Sequence, residues 1–300
     1  MANEMTVSTL ASVINTEAIM EARLAFQTSV NLAGVVRTGD LTGVPTAAAS
    51  FPAFTAPAVS KTAEATDQTT NATITPTDVV LTVARRVVKV LPTDLSRGAS
   101  QENISQRLGQ MIGLARAKQV DADICASWNS TSFTYAVGAT NSTDVSIAMI
   151  LSALLILEGK EANQNLILSL HPSQWAHIRG DLVLMSMTTT GTDSRGTDRS
   201  QQGQQVMDSG MLYLPLFGSK LLVTPRVGTG TDTNAMFMGA LFNADCVGYA
   251  VKNVNQELGI PDIELQRDAS MGATEFVHNY YDSAGIIRAA GVVLIKSQTY

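Results

Sequence analysis

The chain has 300 residues, 45% of them hydrophobic, and a formal net charge of −6 at pH 7. That length can bury one large core or two smaller ones, and the acidic balance argues against a basic nucleic-acid grip as the main task. Charged residues are only 15%, below the usual quarter, so much nominal surface is expected to lie against partners. Cys125 and Cys246 sit in unlike contexts and read as buried free thiols. No disulfide framework is implied, which points to folding in a reducing cytoplasm. The first twenty residues lack the basic and apolar regions of a signal peptide. The longest apolar run, Ile147 to Leu157, is too short to span a bilayer.

Residues 1 to 28 carry one amphipathic helical pattern, with Leu10, Val13, Ile14, Glu17, Ala18, Glu21 and Leu24 alternating faces. It is either an ordinary docked helix or an arm that reaches a neighbour. Residues 29 to 59 are punctuated by Gly34, Gly39, Gly43, Pro45, Pro52 and Pro57. Val35, Val36, Phe51 and Phe54 supply anchors, so an extended arm pinned to a surface is expected. Residues 60 to 91 read as two strands joined near Asp67 to Asn71. In the second, Val79, Leu81, Val83 and Val87 share one face, and Val80, Ala84, Val88 and Val90 the other. The first strand and the tip hold little that could anchor a core, and a lone hairpin is marginal in water. Another chain is therefore expected to cover it.

Ser100 is placed as the cap of a long helix ending at Trp128. Its apolar stripe is Ile104, Leu108, Met111, Ile112, Ala115 and Ile124. Gly109 and Gly113, four apart, would let another element pack closely. A polar loop follows, then a helix from an Asp144 cap through Leu157 with Gly159 as its stop. That helix is apolar nearly all round, so deep burial is expected. Asn165 to Leu170 reads as a buried strand, and His171-Pro172 opens a short helix with Trp175 and Ile178 inward. Residues 186 to 210 are polar and Gly-rich. Strand candidates follow at Met211–Leu216, Lys220–Thr224, Ala235–Phe242, Ala244–Lys252, Glu264–Arg267, Glu275–Tyr281 and Gly291–Ile295. Strands and helices intersperse without βαβ regularity, which makes the class α+β.

No catalytic motif appears. Gly218-Ser219-Lys220 lacks the upstream glycine of a P-loop, and Gly228-Thr229-Gly230 is a turn. His171, His177 and His278 do not have ligand spacing. Asp121 and Asp123 point different ways on their helix, so they suit capping or pairing, not a carboxylate dyad. Arg85 and Arg86 put one cation on each face of a strand. They serve edge protection or a salt bridge, or else contact with an acidic neighbour across an assembly interface.

In this order the segments resemble the major capsid proteins of tailed bacteriophages, with the Hong Kong 97 type of fold. SKTAEATDQTTNATITPTDV is similar to that family's E-loop. VVLTVARRVVKV and SQENISQRLGQMIGLARAKQVDADI resemble its peripheral strand and spine helix. NLILSLHPSQWAHIRG, GMLYLPLFGSKLLVTPRV and NAMFMGALFNADCVGYA resemble its axial domain, and EFVHNYYDSAGIIRAAGVVLIKS its return strands. The resemblance implies an arm at 1–50, an extended hairpin at 51–78 and a peripheral domain at 79–143 with its spine at 100–128. It further implies an axial domain at 144–255 and peripheral return strands at 256–300.

It also implies a structural protein and not an enzyme. Copies in pentamers and hexamers would close an icosahedral shell around double-stranded DNA, without sequence-specific binding, membrane or cofactor. Portal, scaffolding and cement or decoration proteins are the expected partners. The virion is the expected location, after assembly in the bacterial cytoplasm. An encapsulin-type compartment shell is the alternative. Lys61 has no matching crosslink partner, so no covalent link between subunits is expected. The candidate inter-subunit contacts are Lys61, Glu64, Asp67, Arg85 and Arg86.

Overall fold

The β-branched run and the long helical stripe are brought together in a computed structural model. It describes residues 18–26, 32–54, 61, 64, 76–95, 104–129, 135–138, 144–188, 218–228 and 236–298. Residues 18–26 form helix α1. Strands β1 (Arg37–Asp40), β2 (Ala48–Phe54), β3 (Pro76–Thr82) and β4 (Ala84–Val90) precede helix α2 (Ile104–Trp128). After β5 (Ala136–Val137) come α3 (Ile147–Glu158), β6 (Leu166–Leu170) and α4 (Pro172–Thr188). The last third holds β7 (Lys220–Val223), β8 (Met236–Asn243), β9 (Val247–Lys252), the short helix α5 (Val254–Leu258), β10 (Ile263–Asp268), β11 (Ala273–Ile286) and β12 (Val292–Gln298).

Among the described residues the strands form two five-stranded sheets and one hairpin. In the first sheet the order is β1-β9-β11-β10, with β4 also paired to β11. In the second it is β5-β12-β8-β6-β7. The first sheet and β2–β3 are mostly antiparallel, whereas β1/β9, β5/β12 and β6/β7 run parallel. The second sheet is covered on both faces, so its strands are apolar at nearly every position. Ala240, Phe242, Val292 and Leu294 face the core shared with α2, where Trp128 meets Phe242 at 5.1 Å between ring centres. Leu241, Val293 and Ile295 face the core built with α3 and α4. Each large side chain so buried contributes about 1.5–3 kcal/mol.

The spine, α2, buries Leu108, Ile112, Ala117, Val120, Ile124, Cys125 and Trp128. Its 25 residues give a rod of roughly 37 Å. Met111 and Ala115, placed by sequence on the inner stripe, are exposed. The buried stripe is instead turned towards Gly109, Gly113 and Ala117, the side on which α1 packs. The close approach expected at Gly109 and Gly113 is made by α1. A Cβ on either glycine would collide with the backbone of Ala18 or Ala22. At this approach only hydrogen fits on α2, and only alanine faces it on α1. Residues 18–26 therefore dock on their own spine, which is the ordinary reading of the N-terminal pattern; the pattern before residue 18 lies outside the described residues.

Several expectations need correcting. The segment expected to be an extended arm contains β1 and β2 and is hydrogen-bonded into the sheets. The strand paired with β3 is β2, Ala48 to Phe54 lying opposite Thr82 to Pro76; the expected first strand beyond Ser60 lies almost wholly outside the described residues. β3 and β4 are not one strand. The chain breaks at Val83, whose N–H donates to Ala47 O at 2.9 Å. Beyond the break the inward face moves from Val79, Leu81 and Val83 to Arg86, Val88 and Val90. Helix α3 is not buried all round: Leu151 and Leu155 are exposed on the side turned from the second sheet. Its N-cap is Ser146 and not Asp144. Strand β12, expected among the return strands of the spine's sheet, pairs with β8 in the second sheet. The 3-10 turn Ala289–Gly291 redirects it there. Conversely, β9 joins β11 in the first sheet. The Met211–Leu216 candidate lies outside the described residues.

Candidate assembly surfaces

The hairpin is fixed at its base and exposed towards its tip. Ala49 and Phe51 are buried with Leu41, Ala250 and Ile287. Phe51 lies over Gly39 of β1, where a Cβ would come within 2.9 Å of its ring. Leu81 seats in a notch formed by Gly248 and Gly285, which are partners across β9 and β11. A Cβ at Gly285 would stand 2.6 Å from one Leu81 methyl, and a Cβ at Gly248 would stand 3.1 Å from the other. Glycine inside a strand is the usual signature of such an approach. Further out the packing ends. Phe54 is 70% exposed, and Pro76, Thr77 and Asp78 are exposed. Lys61 and Glu64, between the two strands, are exposed, and Asp67 lies outside the described residues.

Arg85 and Arg86 are used within the chain. Arg85 donates to Asn279 Oδ1 from Nε at 3.2 Å and from its terminal amine at 2.9 Å. Arg86 donates to Asp123 of the spine at 2.6 Å, and its Nε stands 3.6 Å from the Asp282 carboxylate. Asp282 is 1% exposed and accepts from the Tyr249 hydroxyl at 3.3 Å. Burial, and then the Asp123 charge, hold its pKa above the ordinary carboxylate value despite Arg86. This cluster ties the spine to β4, β9 and β11. Arg86 thus makes an internal ion pair, while Arg85 bonds an amide oxygen.

The helix α1 is held by more than its alanines. Arg23 Nε donates to Asp262 Oδ2 at 2.9 Å. Glu21 accepts from Gln106 at 2.7 Å and from Gln110 at 3.2 Å. Behind it, Asp121 accepts from Leu32 N–H at 3.0 Å, so the two spine carboxylates do face different partners.

The chemistry-bearing side chains fill structural positions. His171 stacks on Phe237 with ring centres 3.8 Å apart and meets Ser173. His177 faces Asp144 at 3.7 Å. His278 Nδ1 lies 2.7 Å from Asp262 O. Burial lowers the pKa of His171 and His278, so both favour the neutral form. Both cysteines are buried, and burial raises their pKa, which makes them inert as nucleophiles. Gln174 was not singled out in the sequence. It is 1% exposed and bonds Phe237 O, Ile295 O and Ser297 Oγ through Nε2, while Oε1 accepts from His171 N–H. It fastens α4 to the second sheet. Among the described residues no group of His, Cys, Asp and Glu could hold a metal ion, and no helix is long and apolar enough to cross a membrane.

No family model matches the chain, and no curated protein matches its sequence. Solved structures do. It is similar to the capsid of Ralstonia phage GP4, with a TM-score of 0.62 and 11% identity over 92% of this chain and 91% of that one. For a chain of Mycobacterium phage Che8 the TM-score is 0.59 at 17% identity, covering 89% and 90%. For the capsid of the native GTA particle, computed with C5 symmetry, it is 0.60 at 13% identity, covering 89% and 90%. The helices and sheets of this chain thus have the α+β fold of tailed-phage capsid proteins.

Proposed function

We propose that the chain is the major capsid protein of a tailed phage, a structural and not a catalytic protein. Copies grouped in pentamers and hexamers close an icosahedral shell that encloses double-stranded DNA without reading its sequence. One observation carries this reading: a capsid fold along some nine-tenths of the chain, from which a hairpin with a firm base extends an unpacked end. A lone two-stranded ribbon is marginal in water, and a neighbouring subunit is the natural cover for it. Lys61, Glu64 and Asp67 are the charges best placed to meet that neighbour. Arg85 and Arg86 serve the subunit's own frame and take part only indirectly. Portal, scaffolding and decoration proteins would complete the particle, which assembles in the host cytoplasm and ends as the virion.

Negative-stain microscopy of the expressed protein tests the proposal, with closed shells expected. Deleting residues 60–74 removes the reaching segment and leaves the anchored strands. The expected result is a folded chain that no longer closes shells. A chain that stays monomeric at high concentration would refute the shell reading. Shells of normal shape from the deletion variant would refute the role of the hairpin.

A further inference from the structure

Helix α1 shares a small cavity with His278. The space is about 70 Å³, and its walls include Ile19, Arg23 and Phe26 of α1, Arg116 of the spine, Asp262 and His278. His278 is 5% exposed, so α1 is part of what keeps its ring from water. Its Nδ1 lies 2.7 Å from Asp262 O. A carbonyl only accepts, so Nδ1 carries the proton and Nε2 is the bare nitrogen. The carboxylate of the same Asp262 accepts from Arg23 of α1 at 2.9 Å. One residue thus links the histidine to the helix.

Three charged groups share the cavity with the ring: Arg23 from α1, Arg116 from α2, and Asp262 from just before β10. Arg116 also holds α1, its guanidinium carbon 4.4 Å from the Phe26 ring centre. Tyr280 of β11 stacks on His278 with ring centres 5.6 Å apart. On another side an open cleft brings Asp40, Lys252 and Tyr281 near. Asp40 is exposed and Lys252 is paired with Glu257, so neither depends on α1. Within the cavity two cations already stand against one anion. A proton on Nε2 would add a third positive charge beneath α1, where burial disfavours any charge.

We propose that α1 is an acid-sensitive latch: protonating His278 loosens α1 from the spine while the rest of the fold holds. The inference goes beyond the shell reading and does not depend on it. Burial first, and then the Arg116 charge, lower the pKa of the docked histidine, against the raising effect of Asp262. With α1 lifted, the ring meets water and returns towards its ordinary 6.5. The lifted state therefore takes up the proton first. Docking is at full strength above about 6.5 and weakens as pH falls towards the docked value.

Hydrogen exchange on the unassembled full chain, with rates corrected for the intrinsic effect of pH, reads the latch. From about pH 7.5 to about pH 5, protection of residues 22–26 should fall, by up to about tenfold per pH unit below about 6.5. Protection of residues 120–128 of the spine should stay constant. His278→Asn keeps a donor for Asp262 O and does not titrate, so its α1 should stay protected throughout. In the reverse direction, the His278 midpoint, read by NMR, should lie below 6.5 in the wild type. It should rise in Gly109→Ala/Gly113→Ala, where two methyls push against α1. Constant protection of residues 22–26 in the wild type overturns the proposal, as does an equal loss in residues 120–128, which would mark global unfolding. A fall that persists in His278→Asn overturns it too. An unmoved midpoint in Gly109→Ala/Gly113→Ala does so whether or not His278→Asn folds.

Discussion

The contact between α1 and the spine makes a sign prediction at Gly113. In an open helix interior, glycine to alanine stabilises by about 1 kcal/mol, because alanine loses less backbone freedom on folding. Here the added methyl would fall on the Ala22 carbonyl. A carbon needs about 3.3 Å from such an oxygen, so α1 must lift by on the order of 1 Å. Backbone cannot rotate away as a side-chain end can, and overpacking of this kind costs about 1–3 kcal/mol. Gly113→Ala should therefore be neutral to about 2 kcal/mol destabilising in the intact chain. In a chain starting after residue 27, where α1 is gone, the same change should stabilise by about 1 kcal/mol. Chemical denaturation of the four proteins reads both values. Adding Gly109→Ala places a second methyl against Ala18 and should release α1, seen as faster proteolysis within residues 18–26. If Gly113→Ala stabilises the intact chain by about 1 kcal/mol, the close approach is wrong.

Two further predictions rest on the hairpin base and the buried ion cluster. Leu81→Ala and Gly285→Ala should each cost about 1–2 kcal/mol, the first by leaving a void and the second by crowding the notch. Together they should cost less than their sum, because the new methyl occupies space that Leu81 has left; strict additivity in a double-mutant cycle would refute the notch. Arg86→Met should cost about 2–3 kcal/mol at pH 7, a discounted value because the arginine is partly exposed. The native pKa of Asp282 already lies above the ordinary 3.8, and losing Arg86 raises it further. A carboxyl with a raised native pKa favours the fold when protonated, and that advantage is lost as pH rises through the native value. The gap between variant and wild type should therefore narrow as pH falls from 7 through the Asp282 pKa of the variant. A gap in denaturation midpoints that stays constant down to the ordinary carboxylate range would show that Asp282 is not the group left uncompensated.

What the sequence disclosed followed from how strongly each segment is patterned. β6 to β12 were legible because branched and aromatic residues fill both faces of the second sheet and alternate along β11. The spine was legible from twenty-five residues with almost no breaker, and the two exceptions, Gly109 and Gly113, declared a close neighbour without naming it. β1 is Arg-Thr-Gly-Asp, four residues with no apolar signal, paired in parallel through backbone alone. β2 carries Pro52 and three alanines, so propensity argued against a strand, and its two buried side chains were too few to override that. Helix α3 erred the other way. Apolar composition states what a face could bury, and Leu151 and Leu155 remain uncovered by this chain.

The arginine pair shows the limit most sharply. Its partners, Asp123, Asn279 and Asp282, lie far along the chain, and no local pattern brings them to β4. The slip at Val83 decides the matter. Had the alternation continued through Val83, Arg85 would have shared the inward face with Leu81, and Arg86 would have pointed out as a free cation. The break shifts the phase by one residue, which sends every later side chain to the opposite face. It turns Arg86 towards Asp123 and Asp282, and it lets Val88 and Val90 meet the core that includes Leu108 and Ile112. One position outside both strands, Val83, thus separates the hairpin, which leaves the body, from β4, which belongs to it.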